Sequence, residues 1–340
     1  MRLALDAMGS DNAPGVEVEG AIQASKEIDA EIILVGQKPV LEKELAKHPK
    51  VSNKIIIQHA SEVVQMHETP AQACRQKQDS SIMVGTRLVK EGKADAFVSA
   101  GNSGAVMAAG LMNIKRLPGV ARPAIASLMP SLKGVCVLVD AGANVDCKPK
   151  HLLQFAIMGD IYARYILDEM NPTIGLLSIG EEDNKGNELT LATAPLIKET
   201  SLNFIGNIEG RDIVKGKADV VVCDGFTGNV ILKFAEGLAE SLFFLIKTEI
   251  EKKLIRKLGA LTIKPAFREI ARRVDYTEYG GAPLLGLRGV CIIAHGASNP
   301  KAIKNALKVS NEFVERKVIN YLKEEIMLYS WDEGANGDKN

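Results

Sequence analysis

Residues 92–106 read GKADAFVSAGNSGAV, and residues 216–230 read GKADVVVCDGFTGNV. Aligned without gaps, 8 of the 15 positions are identical. Each copy passes from an acidic turn through a short apolar run into a loop of Gly, Ser, Thr and Asn, then into a helical pattern. A weaker echo links LALDAMGSDN at 3–12 with VLVDAGANVD at 137–146. A match spanning a strand, its loop and the next helix start indicates duplication. Two related halves would place similar strand-end loops on either side of a cleft.

Working outward, short β-branched runs alternate with helical stretches along the whole chain. Strands are expected at 2–6, 31–35, 54–58, 95–99, 124–128, 134–140, 173–179, 203–206, 219–223 and 289–294. Many are apolar on both faces, which suits a sheet covered by helices on both sides. Strand–helix alternation predicts a three-layer αβα fold with a mixed sheet of about ten strands. The periodicity predicts one helix over 229–258, with Leu238, Leu242, Leu245, Ile246 and Ile250 on its apolar stripe, widened by Phe243 and Phe244. So broad a stripe suits burial, against the chain itself or a second subunit. A second helix is expected over 301–326, and WDEGANGDKN at the end, with the sole Trp331, as a polar tail.

At 340 residues the chain is long enough for about two lobes. It is 46% hydrophobic and 25% charged, ordinary for a globular protein with a large core. Forty-two Lys and Arg balance 42 Asp and Glu, and the zero net charge argues against a nucleic-acid partner, which calls for a basic excess. No apolar run approaches the ~20 residues of a membrane span, and MRLALDAMGSD does not resemble a signal peptide. Cys74, Cys136, Cys147, Cys223 and Cys291 are scattered without a CxxC pair; most sit in apolar segments and suggest buried, reduced thiols in a cytosolic protein.

Five strand ends open into small polar loops: 6–11 (DAMGSD), 99–104 (SAGNSG), 140–144 (DAGAN), 224–229 (DGFTGN) and 295–299 (HGASN). Ligands bind at the carboxyl ends of strands in α/β sheets. Glycine lets backbone N–H groups approach an oxyanion, and small hydroxyl and amide side chains add neutral donors. Five such loops, two of them duplicated, favour an anion site. No GxGxxG or GxSxG occurs, and residues 210–218 (GRDIVKGKA) miss the Walker spacing and end in Ala. The five histidines lack metal-ligand spacing, and neither metal nor cofactor is expected. His295, at a strand end, is the histidine to weigh. Lys185, in the polar segment 180–188, would suit a phosphate, and the uncharged stretch 280–286 would suit an apolar ligand.

Together these strings resemble the phosphate acyltransferases of bacterial phospholipid synthesis. DAMGSDNAP at 6–14, SAGNSGA at 99–105, DAGAN at 140–144, GLLSIGEEDNKGNE at 175–188 and NFIGNIEGRD at 203–212 carry the resemblance. So do CDGFTGNV at 223–230, YGGAPLLG at 279–286 and AHGASN at 294–299, and it runs from residue 1 to about 328. It implies transfer of a long-chain fatty acyl group from acyl carrier protein to inorganic phosphate, giving acyl phosphate. It further implies a homodimer with an isocitrate and isopropylmalate dehydrogenase-like fold of two intertwined, pseudo-symmetric lobes. The expected organisation is one duplicated unit over 1–328. One lobe takes roughly 1–140 plus 289–328, the other roughly 141–288, with a helical hairpin over 229–275 and a tail over 329–340.

Phosphate is itself a nucleophile near neutral pH and a thioester an activated donor, so direct transfer needs no enzyme nucleophile. What the protein must supply is alignment and oxyanion stabilisation. The expected catalytic residues are Lys185, Asn229 and His295. Ser99, Asn102, Ser103 and Gly104 form one phosphate or oxyanion loop; Asp224 and Gly228 belong to its duplicate, with Asn144 across the cleft. Residues 247–273 carry a net +6 with interleaved apolar residues. The tip suits docking on anionic lipid or on acidic acyl carrier protein; Leu254, Leu258, Leu261 and Ile263 are expected to touch the membrane surface, with Gly259 and Pro265 at the turn of the hairpin. That would make the protein cytoplasmic and peripherally membrane-associated, with a downstream membrane glycerol-phosphate acyltransferase as a possible recipient of product. The alternatives are a phosphate acetyltransferase using acyl-coenzyme A, a metal- and nicotinamide-dependent dehydrogenase, or a non-catalytic membrane scaffold.

Overall fold

The computed structural model describes residues 1–274 and 276–329; Asp275 and residues 330–340, including Trp331 and nearly all of the expected tail, lie outside the described residues. The first half runs β1 (Arg2–Asp6), α1 (Gly15–Ala24), β2 (Glu31–Gly36), α2 (Lys38–Leu45), β3 (Ile55–His59), α3 (Pro70–Gln76), α4 (Ser81–Lys90), β4 (Ala96–Ser99) and α5 (Ser103–Ala109). Then come β5 (Ala124–Ser131), β6 (Gly134–Val139), α6 (Pro149–Ile166), β7 (Ile174–Leu177), α7 (Glu188–Lys198), β8 (Phe204–Ile208), α8 (Gly210–Lys215) and β9 (Val220–Val222). The chain closes with α9 (Gly225–Glu251), α10 (Leu254–Val274), β10 (Ala282–Leu285), β11 (Val290–Ile293), α11 (Pro300–Glu315) and α12 (Val318–Leu328).

The described strands form one 11-stranded mixed sheet in the order β3-β2-β1-β4-β11-β10-β5-β6-β9-β7-β8. β5 runs antiparallel to β6 and β10, and β10 antiparallel to β11; the other pairs are parallel. Alternation along the strands builds three layers. Leu3 and Leu5 of β1 join a core with Ala21 of α1, Phe155 of α6 and Ile303 of α11. Ala4 between them faces the opposite layer, with Cys74 of α3, Ile82 of α4 and Val106 of α5. The far half repeats this arrangement, Leu138 and Val221 packing with Ile213 of α8. The three-layer α/β expectation therefore holds, with helices on both faces of the sheet.

Each copy of the duplicated stretch becomes a strand and the start of a helix, β4 with α5 and β9 with α9. β4 pairs with β1 and β9 with β6, so each copy lies beside a strand that leads into a buried aspartate, Asp6 or Asp140.

One strand was not expected, and two local expectations need correction. The uncharged stretch near 282 is a strand, β10, held by β5 and β11 on either side. The expected helix over 229–258 stops at Glu251; α10 then runs through Gly259 and Pro265, so the hairpin turns at 252–253. Proline removes one helical donor, and on the exposed α10 water can satisfy the carbonyl left over. The expected helix over 301–326 is α11 and α12, broken where Lys317 adopts a left-handed φ of 54°.

Among the described residues much of the apolar stripe of α9 is uncovered: Leu242, Phe244 and Leu245 are 50%, 68% and 58% exposed, and Phe226 and Phe234, nearer the start of the helix, 62% and 69%. On α10, Leu254, Leu258, Leu261 and Ile263 are likewise exposed. No helix of the described residues is long and apolar enough to cross a membrane.

Candidate active site

Two aspartate-centred knots hold the strand ends in place. At the first, Ser99 Oγ donates to Asp6 Oδ2 at 2.7 Å, the Met8 amide donates to Oδ1, and the Gly101 amide donates to Ser99 Oγ. Gly9 must be glycine here, because a Cβ would lie 2.5 Å from Asp6 Oδ2 and 2.8 Å from the Gly101 nitrogen. At the second, Asp140 accepts from the amides of Ile125, Ala143 and Asn144 at 2.7–3.1 Å and from Asn144 Nδ2 at 2.8 Å. A Cβ on Gly228 would stand 1.9 Å from the Asp140 carbonyl oxygen, so the first turn of α9 can approach β6 only with glycine at that position. Burial raises the pKa of both carboxyls against the hydrogen bonds that lower it.

Of the expected loop residues, Ser99 and Asn144 build these knots and Gly228 makes room for the second, while the others tie their own loops. Asn102 caps α5 through the Ala105 amide and donates to the Met66 and Glu68 carbonyls. Asp224 caps α9 by accepting from the Thr227 amide and hydroxyl. Asn144 donates to the Pro123 carbonyl as well as to Asp140. Gly104 packs against Pro70.

Between the knots opens a cleft of about 220 Å³. Its apolar side comes from Ile125 and Leu128 of β5, Ala282 of β10, Ile293 of β11 and Leu232 of α9. Gly281, from the uncharged stretch singled out in the sequence, and Tyr279 just before that stretch also line it. Three of the expected polar residues stand on its wall: Ser103, Asn229 and His295. Lys185 does not. It is exposed on the loop after β7, whose backbone is held by Asn207 Nδ2 through the Glu182 and Lys185 carbonyls.

Two charged residues that the loop motifs did not mark also line the cleft: Lys233 and Glu236. Lys233 Nζ lies 2.8 Å from Glu236 Oε2 and 3.3 Å from His295 Nε2. The Ala297 amide donates to His295 Nδ1 at 3.1 Å, fixing the ring in its loop. One signal in the sequence pointed to Lys233: it follows Asn229 by four residues, one helical turn along the same face. An apolar floor faced by a lysine, an imidazole, an amide and a hydroxyl can hold an acyl chain against an anion.

The cysteine thiols stay apart from this chemistry. Burial pushes Cys136 and Cys291 up to about 12 and Cys147 up to about 11, and raises Cys223 as well. A thiol held that high forms little thiolate, and thiolate is the nucleophilic species.

The sequence pattern of the family described as fatty acid synthesis protein matches residues 1–321. The chain is 57% identical over 331 residues to a phosphate acyltransferase of Desulfitobacterium hafniense, covering 97% of this chain and 99% of that protein. The chain belongs to the phosphate acyltransferase family. It is therefore an enzyme of a lipid-synthesis family. In fold, this family member is similar to a phosphotransacetylase from Streptococcus pyogenes, with a TM-score of 0.63 at 18% identity over 93% of this chain and 94% of that one. It is also similar to a 4-hydroxythreonine-4-phosphate dehydrogenase from Klebsiella pneumoniae, with a TM-score of 0.51 at 14% identity over 92% and 99%. The expected dehydrogenase-like architecture agrees with both.

Proposed function

We propose that the cleft transfers a long-chain acyl group from the thioester of acyl carrier protein to inorganic phosphate, releasing acyl phosphate for phospholipid synthesis. The observation that carries this is the meeting of Lys233, His295, Asn229 and Ser103 with the apolar side formed by Ile125, Leu128 and Ile293. A phosphate oxygen attacks the thioester carbon, the C–O bond forms, and the C–S bond of the tetrahedral intermediate breaks. The proton of monohydrogen phosphate ends on the departing thiol. Donors on the polar wall stabilise the oxyanion, and the apolar wall limits water, which would hydrolyse the product.

Ser99, Asn102, Gly104, Asn144, Asp224 and Gly228 act in this scheme by holding the loops that present the wall. Lys185, outside the cleft wall on the loop after β7, is the remaining cation offered to phosphate in this scheme. Incubation with palmitoyl-carrier protein and phosphate, followed by hydroxylamine, should yield palmitoyl hydroxamate. Without phosphate there should be none. Equal rates with acyl-coenzyme A would favour the acetyltransferase-like alternative. A labelled acyl-enzyme detected by mass spectrometry during turnover would refute direct transfer.

The exposed stripe of α9 supports a homodimer, since Phe226, Phe234 and Phe244 together present more apolar surface than isolated residues do. The cationic, leucine-bearing α10 supports attachment to anionic lipid, near a membrane glycerol-phosphate acyltransferase that would consume the product. Sedimentation should give twice the chain mass; a monomer at micromolar concentration would refute the dimer.

A further inference from the structure

We propose that a basic hollow at the base of the hairpin holds the phosphodiester of the prosthetic arm on which acyl carrier protein presents its thioester. Arg272 and Arg273 supply the charge, and the arm passes from them into the cleft. This rests on the carrier-dependent transfer proposed above, which does not itself say where the carrier sits.

The hollow, of about 440 Å³, lies between the last turn of α10 and the first turn of α11. Among the described residues it is lined by Arg272, Arg273, Glu278 and Lys301, three cations against one carboxylate. Glu278 is engaged by Lys301, so the two exposed guanidinium groups are the open charge of the site. Each presents a planar fork of donors that matches two phosphate oxygens. Arginines at the end of α10 also complement the dipole of that helix. That does not account for Lys301, which stands at the second position of α11, where the helix dipole repels a cation and favours an anion.

The hollow and the cleft share a wall. Glu278 lines the one and Tyr279 the other, and Lys301 and Ala302 divide in the same way. Consecutive Cα atoms are about 3.8 Å apart, so an anion in the hollow stands beside the cleft. The junction is tied down. Tyr279 Oη donates to the Arg273 carbonyl at 2.6 Å, and Asn305 Nδ2 donates to the Thr277 carbonyl at 2.9 Å. A Cβ on Gly280 would lie 2.5 Å from the Asn305 carbonyl oxygen, so glycine lets this segment rest on α11. A site fixed before its ligand arrives loses less in ordering it.

The same helix offers a track for the protein that bears the arm. Lys264, Arg268 and Arg272 follow one another at intervals of four residues, so they share one exposed face of α10. An acidic carrier is steered onto such a row. The leucines assigned to lipid lie towards the other end: Leu258 and Arg272 are separated by about 21 Å along a helix.

Kinetics and binding of the double variant Arg272→Gln/Arg273→Gln test this, with Arg272→Lys/Arg273→Lys beside it. The glutamine variant should raise the KM for palmitoyl-carrier protein at least tenfold and leave the KM for phosphate within twofold. The lysine variant should recover part of the loss. Wild-type protein should take palmitoyl-phosphopantetheine at a KM at least fivefold below that for palmitoyl-pantetheine, and the glutamine variant should lose this preference. An unchanged KM for the carrier overturns the site, as does an undiminished preference for the phosphorylated donor. A raised KM for inorganic phosphate alone would assign the arginines to the other substrate. Lost flotation with anionic liposomes at an unchanged carrier KM would assign them to lipid, and either result overturns the proposal. In fluorescence anisotropy, labelled holo-carrier protein without an acyl group should bind wild type at least tenfold more tightly than the glutamine variant. If it does so but no hydroxamate forms from any thioester, acyl transfer fails while the carrier site stands. Far-UV circular dichroism matching wild type confirms that each variant is folded.

Discussion

Glu17 offers a quantitative test of how the first knot is built. It lies in the first turn of α1, wholly buried, with Oε1 accepting the Ser10 amide at 3.2 Å and Oε2 lacking a hydrogen-bond partner. Burial pushes its carboxyl from 4.5 up to about 7, with the charge of nearby Asp6 adding to the rise. A raised pKa means that the folded state favours the protonated acid. The stabilisation is complete below pH 4.5 and is lost as the pH rises through 7. Glu17→Gln keeps the shape and the acceptor for Ser10 but never ionises. At 1.36 kcal/mol per pKa unit, the variant should exceed wild type by under about 1 kcal/mol at pH 5 and by about 3 kcal/mol at pH 8. Urea denaturation followed by circular dichroism at several pH values between 5 and 8 measures the difference directly. A gap that stays constant with pH, or narrows as pH rises, would refute a buried, proton-requiring Glu17. The effect also bears on the cleft, because the amide of Asp11, next to Ser10, donates to the carbonyl of Gly296 beside His295.

The other predictions concern packing, the neighbouring loop and the surface. Gly228→Ala forces a methyl group against the Asp140 carbonyl and should cost about 3 kcal/mol or more, seen as a lowered melting temperature; a loss below about 0.5 kcal/mol would mean that α9 can shift away freely. Asn229→Ala should lower phosphate-dependent turnover at least tenfold, since its side chain lines the cleft. Lys185→Ala reports on the loop after β7: a tenfold loss is expected if the loop folds onto substrate, and turnover within twofold of wild type would exclude Lys185 from the reaction. Leu258 is 58% exposed, and Leu258→Glu should weaken flotation with anionic liposomes roughly tenfold or more, whereas equal flotation would remove α10 as the lipid contact.

Ten of the eleven strands were legible in the chain because their apolar runs are local, and most of them bury both faces; the edge strands β3 and β8 leave Ile56 and Ile205 exposed. β10 was not, because APLL is short, carries a proline and becomes a strand only through antiparallel partners at 124–125 and 292–293. The break at Lys317 was hidden for a related reason, since apolar spacing continues across it into α12. Of the polar residues marked in the loops, Ser103, Asn229 and His295 reach the cleft, while Ser99, Asn102, Asn144 and Asp224 turn their side-chain atoms inward to other protein groups. The chain's composition could not separate these two sets, because a Ser or Asn that ties a loop and one that meets a ligand are the same residue type in the same kind of loop.

The sequence by itself determined the duplicated strand–loop–helix units, the three-layer sheet and the family, all written in contiguous residues or in a period of two or four. Only the tertiary structure decided which side chains share a cleft. Lys233 and His295 are 62 residues apart and meet because α9 leaves β9 on one side of the central strands while the loop after β11 leaves on the other. Local sequence sets how a segment pairs its own backbone, whereas contact between distant side chains depends on where the whole sheet carries the segments.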